Sequence, residues 1–265
     1  MAAWVWLTPL LATLIFTGTN SSYSPYEEKS VEILELQIPE SPKEGDNVKL
    51  TCRYRLTGDG HKLYTVNWWR GKDQFYTYKE SGYDRKHAYT FAGLTVMKDA
   101  SDADSVVLRN VSEKSSGEYK CEVMGEGPAF KTVVKTKDMM VIVPPSKVEI
   151  KSGDMHKVYY SPGDVIHLNC SAKEANPKAR LTWHVNGKQV TELETDHRSF
   201  PDHEDYRGHI TSTLGLKWVA PRYFVDGQAL VVCTATVGKH NFTDSKLLHL
   251  DPRAMQAFNQ QYASA

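Results

Sequence analysis

The densest cluster of groups able to do chemistry is Asp196-His197-Arg198-Ser199-Phe200-Pro201-Asp202-His203-Glu204-Asp205, which sets two imidazoles and four carboxylates within ten residues. Such a set could ligate a divalent cation or pair a general acid with a base. Ligands and bases of that kind need a frame such as H-E-x-x-H on one helix face, and no helix spacing brings these groups together. The segment reads as a solvated acidic loop. No serine sits in a nucleophile elbow and the glycines form no phosphate-binding pattern. No catalytic residue, cofactor or metal site is therefore expected. The other chemical candidates are the thiols Cys52, Cys121, Cys170 and Cys233, which lack the C-x-x-C pair of a zinc site. Asparagine acceptors for glycosylation occur at Asn20-Ser21-Ser22, Asn110-Val111-Ser112, Asn169-Cys170-Ser171 and Asn241-Phe242-Thr243. Asn110 and Asn241 are expected on exposed loops and are favoured. Asn20 is expected to leave with a leader, and Asn169 abuts a cysteine whose oxidation would compete with the modification.

Composition limits the partners these groups could serve. The 265 residues carry 32 Lys plus Arg against 32 Asp plus Glu. Zero net charge argues against nucleic-acid binding through bulk positive charge. The run Trp4 to Phe16 is too short to span a membrane but suits the apolar region of a signal peptide, with cleavage expected between 18 and 22. No other stretch approaches membrane length. The polar segment 251–265 offers no stop-transfer helix and no hydrophobic tail to direct a lipid anchor. The expectation is a secreted, extracellular protein with no membrane span in this chain. In that compartment four cysteines form two disulfides.

The spacing of those cysteines points to a fold. Cys52 and Cys121 lie 69 residues apart, and Cys170 and Cys233 lie 63 apart. Trp68 follows the first cysteine by 16 residues and Trp183 follows the third by 13. A Cys…Trp…Cys frame occurring twice is that of immunoglobulin domains, in which the bridge pins strand B to strand F and the strand-C tryptophan packs on it. Closing each loop stabilises the fold by ~4 kcal/mol on the chain-entropy model. The fold class is all-β, two tandem immunoglobulin-like β-sandwich domains after a signal peptide (1–22). A variable- or intermediate-type domain is expected over 31–143, a constant-type domain over 144–250, and a polar tail over 251–265.

The local patterns agree. Val48 to Cys52 alternates with period two as strand B, and Tyr64, Val66 and Trp68 point inward on strand C. Tyr119, two residues before Cys121, reads as a tyrosine corner. The Asp usual six residues before that cysteine is Ser115, so the common Arg–Asp clasp beneath the sheet is absent or replaced. Gly127-Pro128 turns the chain into a strand G expected over 130–143. Pro144-Pro145 is a junction stiffened by fixed φ angles. Domain two places Val165 to Cys170 on B, Arg180 to Val185 on C, a type I′ turn at Asn186-Gly187, Leu214 to Lys217 on E and Ala229 to Cys233 on F. Val231 stands where a corner tyrosine would be.

A sandwich implies no function by itself, so function must come from a surface. On the predicted GFCC′ sheet of domain one the outward residues are Thr65, Asn67, Trp69, Lys120, Glu122 and Met124, beside Gln74-Phe75-Tyr76-Thr77-Tyr78 on C′. Either parity of C′ puts an aromatic outside, and the sequence leaves that parity open. An exposed Trp with Tyr, Phe and Met neighbours has the composition of a protein-interface core.

Leu63-Tyr64-Thr65-Val66-Asn67-Trp68-Trp69-Arg70-Gly71 followed by Gln74-Phe75-Tyr76-Thr77-Tyr78 is the most specific stretch of the chain. Together with Val31 to Leu36, Val48 to Tyr54, Ser116 to Val123, Pro128-Ala129-Phe130 and Met140 to Val143, and with Tyr160 to Asp164, Leu181-Thr182-Trp183 and Asn186-Gly187 in domain two, it resembles the Beaten path family of arthropod neuronal immunoglobulin proteins. Trp69 stands where that pattern would have Tyr. The resemblance spans roughly 31 to 236 and implies binding to Sidestep-type immunoglobulin proteins through the GFCC′ face, in axon guidance, defasciculation and synaptic partner choice. The residues it implies are Thr65, Asn67, Trp69, Phe75, Tyr76, Tyr78, Glu122 and Met124, with Trp69 as anchor. The alternatives are homophilic adhesion through the same face, with weak self-association, or an immune-type recognition module using Lys131, Lys135 and Lys137 against glycans.

Overall fold

A computed structural model describes residues 31–57, 62–126, 130–153, 157, 159–191 and 198–263. The expected signal peptide, the turn at Gly127-Pro128 and the first two residues of the acidic segment (196–197) lie outside the described residues. Domain one comprises β1 (Val31–Gln37), β2 (Val48–Leu56), β3 (Leu63–Arg70), β4 (Asp73–Lys79), β5 (Lys86–Ala88), β6 (Ser105–Leu108), β7 (Gly117–Gly125) and β8 (Thr132–Met139). Domain two comprises β9 (Lys147–Ser152), β10 (Tyr159–Tyr160), β11 (Val165–Ala175), β12 (Arg180–Val185), β13 (Lys188–Gln189), β14 (Arg198–Ser199), β15 (His203–Glu204), β16 (Ile210–Val219), β17 (Gln228–Val237) and β18 (His240–Leu250), followed by helix α1 (Pro252–Ala263).

In domain one a sheet ordered β1-β2-β6 faces a sheet ordered β5-β4-β3-β7-β8. The second sheet is C″-C′-C-F-G in immunoglobulin lettering, and the two extra strands beyond C make the domain variable-type. Between the sheets Cys52 bonds Cys121 under the buried ring of Trp68. Domain two packs β14-β16-β11-β9 on β10-β18-β17-β12-β13, with Cys170 bonded to Cys233 beside the buried Trp183. Both cores follow from period-two alternation. On β11, for example, Ile166, Leu168 and Cys170 are buried while Val165, His167 and Asn169 are exposed.

The corner in domain one forms as expected: the Tyr119 hydroxyl donates to the Ser115 carbonyl at 2.5 Å. Burial pushes its phenol well above the ordinary tyrosine range, which keeps it a donor. Tyr119→Phe leaves that buried carbonyl without its partner. It is expected to cost about 1 kcal/mol, read as a fall of roughly 4–8 °C in the melting of domain one. Arg70 of β3 takes over the missing clasp. Its guanidinium donates to the Lys114 and Ala92 carbonyls, the latter at 3.1 Å, while the Ser115 hydroxyl donates to the Gly93 carbonyl.

Domain two lacks the corner tyrosine, and Val231 is buried in its place. Its E–F corner is held instead by Trp218, whose indole N–H donates to the Arg222 carbonyl at 3.1 Å and whose ring meets Tyr223 edge-on. Asn186 and Gly187 both have positive φ, as the I′ turn requires. The segment expected as a polar tail folds as α1, with Met255 packed on the core of domain two. At the junction Val143 and Asn176 exchange backbone hydrogen bonds at 2.7 and 3.1 Å. Ile142 is buried among Ala172, Ala175, Ala179, Ala235 and Val237. The Asn176 amide donates to Glu113, and His240 meets the Ser41 carbonyl at 2.8 Å.

Candidate functional site

Strand register builds the outward face of the five-stranded sheet of domain one as cross-strand rows. The first row runs His87 (β5), Thr77 (β4), Asn67 (β3), Glu122 (β7), Val134 (β8). The second runs Gln74, Trp69, Lys120, Thr136, and the third Lys79, Thr65, Met124, Thr132. Directly opposed side chains on one face lie close enough to interact, so these rows are the units of contact.

Asn67 is the hub. Its amide donates to Glu122 Oε1 at 2.8 Å, and its carbonyl accepts from Gln74 and from the Thr77 hydroxyl, each at 3.1 Å. Gln74 also donates to Thr77 at 2.5 Å. Thr65, Asn67 and Thr77 are 6%, 8% and 4% exposed although they point away from the core. They form a hydrogen-bonded polar floor rather than a contact surface. Above it stand Trp69, Glu122 and Met124, each partly buried. The Lys120 ammonium lies 4.6 Å from the Trp69 ring centroid, a cation–π geometry. The Trp69 indole N–H is shielded and has no acceptor. Asn67→Ala would remove three hydrogen bonds, to Glu122, Gln74 and Thr77, and a loss of about 1.5 kcal/mol in urea titration of the fold is expected.

Three expectations about this face require correction. Phe75 and Tyr76 are wholly buried and offer nothing to a partner. The ladder slips between Trp68 and Trp69, so that Tyr76 faces Trp68 and Gln74 faces Trp69, with Phe75 between them. A bulge of this kind breaks the alternation. Pairing with the inward Trp68 sets Tyr76 in the core, and the bulge lets Phe75 turn inward as well, edge-on against Tyr119 with ring centroids 5.8 Å apart. Tyr78, opposite Val66, also packs on the core side. The parity that sets Tyr76 and Tyr78 inside would put Phe75 outside by simple alternation, and the bulge buries it instead. Conversely Tyr64, expected inside, is 50% exposed, because a second slip between Leu63 and Thr65 gives Leu63 the core position. The lysine stripe is partly engaged: Lys137 pairs with Glu40 at 3.4 Å and Lys135 donates to the Leu34 carbonyl at 3.3 Å.

Sequence reasoning missed Val134, which is 52% exposed beside Glu122, and His87 at the far end of the same row. The pair Val133-Val134 was the available signal, since alternation must turn one of the two outward. Among the described residues no group of three His, Cys, Asp or Glu side chains is placed to hold a metal ion, and no helix is long and apolar enough to cross a membrane.

Residues 41–131 match the immunoglobulin domain family, and residues 145–243 match the CD80-like C2-set immunoglobulin domain family. The chain is a tandem of two immunoglobulin-type domains. More particularly, it is a variable-type domain followed by a C2-type domain, modules that are typically non-catalytic. Among its relatives, tyrosine-protein kinase receptor ver-3 of Caenorhabditis elegans is 28% identical over 184 residues, covering 69% of this chain and 14% of that protein. Human junctional adhesion molecule B is 26% identical over 91 residues, covering 33% of this chain and 28% of that protein. The chain thus spans a minor part of either relative. Of solved structures, murine CEACAM1b superposes with a TM-score of 0.52 at 15% identity, over 82% of this chain and 99% of that one.

Proposed function

We propose that this chain is a secreted recognition protein that binds an immunoglobulin-type cell-surface protein through the outward face of β5-β4-β3-β7-β8. The observation that carries the reading is the face itself. Trp69, Met124 and Val134 give an apolar contact, Lys120 and Glu122 supply charge of both signs, and a hydrogen-bonded floor holds all of them in place. Such a surface needs little reordering on association, and aromatic anchors set on rigid support contribute most to interface energies. The resemblance in strands C, C′ and F to the Beaten path family names the partner class: a Sidestep-type receptor, met in axon guidance, defasciculation and synaptic partner choice. Domain two serves as spacer, and Asn110 and Asn241, both exposed, carry N-linked glycans. The leader at 1–22 directs secretion.

The test is a pairwise binding screen of the oligomerised full chain against a panel of immunoglobulin cell-surface proteins, itself included. Binding to a Sidestep-type protein is expected. Self-binding alone would replace this reading by homophilic adhesion, and binding to glycans without a protein partner would replace it by an immune-type module.

A further inference from the structure

The remaining sequon within the described residues, Asn169-Cys170-Ser171, sits in the middle of β11. Alternation buries Cys170 and turns Asn169 out to solvent. Across the ladder Asn169 faces Lys151 on β9 and Gly215 on β16. A glycine inside a strand weakens it and often marks close approach by a ligand. Asn169 and Gly215, which also pairs with Arg198 of β14, line a cleft of about 170 Å³ together with His167, Lys217 and Phe200. Phe200, 43% exposed, presents an apolar wall to that cleft.

We propose that Asn169 carries an N-linked glycan whose first N-acetylglucosamine lies in this cleft against Phe200. The inference rests on the secretory route proposed above. In the transfer, the Asn169 amide nitrogen forms a bond to the anomeric carbon of a lipid-diphosphate-linked oligosaccharide. The bond from that carbon to the diphosphate oxygen breaks, the diphosphate departs with the electron pair, and the amide gives up one proton. The neighbouring cysteine does not block the step. Its partner Cys233 lies 63 residues further on, and at roughly 5–20 residues per second it emerges several seconds after the sequon. The only earlier cysteines, Cys52 and Cys121, bond each other.

The consequence reaches the candidate site. Asn169 decorates one sheet of domain two and Asn241, on β18, the other, whereas no sequon lies on β3, β4, β5, β7 or β8. Bulky hydrated sugar thus covers the spacer and leaves the Trp69 face bare.

The experiment is to secrete the full chain from animal cells, release its glycans with peptide N-glycosidase in heavy-oxygen water, and map the peptides after reduction. Asn169 is expected to be recovered as labelled aspartate. Unlabelled Asn169 in the secreted chain overturns the proposal whether or not Asn110 and Asn241 are labelled, whereas failure of the chain to reach the medium overturns the secretory reading instead. The seat has its own test. Phe200→Ala is expected to lower the melting temperature of domain two by about 3 °C in the glycosylated chain and by under about 1 °C in an Asn169→Gln background. Equal shifts in the two backgrounds overturn the packing against Phe200.

Discussion

Trp69→Ala is expected to weaken partner binding by about 30-fold while leaving the fold intact. The ring stands in the second cross-strand row between Gln74 and Lys120, away from the core that holds Trp68. Truncating a central aromatic anchor typically costs about 2 kcal/mol or more, which is about 30-fold in Kd. The loss to stability is modest because Trp69 stands outside the core cluster of domain one, and a cation–π contact such as that with Lys120 is worth about 0.5–1 kcal/mol near a surface. Surface plasmon resonance against the partner, with thermal unfolding of the same preparation, separates the two effects. A Kd within threefold of wild type, with melting unchanged, would remove Trp69 and the face it anchors from the reading. Val134→Ser, on the row that crosses Glu122, asks the same question at the G-strand end with a smaller change expected.

What was legible in the sequence depended on how local each signal is. The cysteine–tryptophan frame, the tyrosine corner and the I′ turn are carried by residue types with one dominant use, and the structure forms each of them. The outward parity of Asn67, Trp69, Glu122 and Met124 was legible too, because alternation is a property of a single strand. Phe75 and Tyr64 were misplaced for the converse reason. A bulge is set by how two strands pair, and nothing within Gln74 to Tyr78 says that the ladder will slip beside Trp68. Thr65 and Asn67 show a further limit: direction along a strand does not give exposure, and here neighbouring Gln74, Glu122 and Met124 close over them. Arg70 as a replacement clasp was also hidden, since its acceptors are backbone carbonyls at Ala92 and Lys114, which leave no mark in the sequence.

That base of domain one makes Gly93→Ala the most damaging small substitution to be expected. Gly93 has φ +78°, a conformation that costs an L residue roughly 1–2 kcal/mol. A Cβ there would lie 2.5 Å from the carbonyl carbon of Lys114 and 2.7 Å from its oxygen. These are backbone atoms of the turn that receives Arg70 and precedes Tyr119, so they cannot swing aside as a side-chain end could. Overpacking of this kind adds about 1–3 kcal/mol. A total near 3 kcal/mol lowers the melting temperature of a domain this size by roughly 15 °C. Gly82→Ala is the matched control: its φ is +112° but a Cβ there meets nothing within 4 Å, so it carries the conformational cost without the collision. Calorimetry of the full chain, in which domain two provides an internal reference, should show domain one falling far further for Gly93→Ala than for Gly82→Ala. Equal falls would mean that the Lys114 turn yields, and that Arg70 and Ser115 do not hold the floor of strands β3 and β7 as rigidly as a preformed binding face requires.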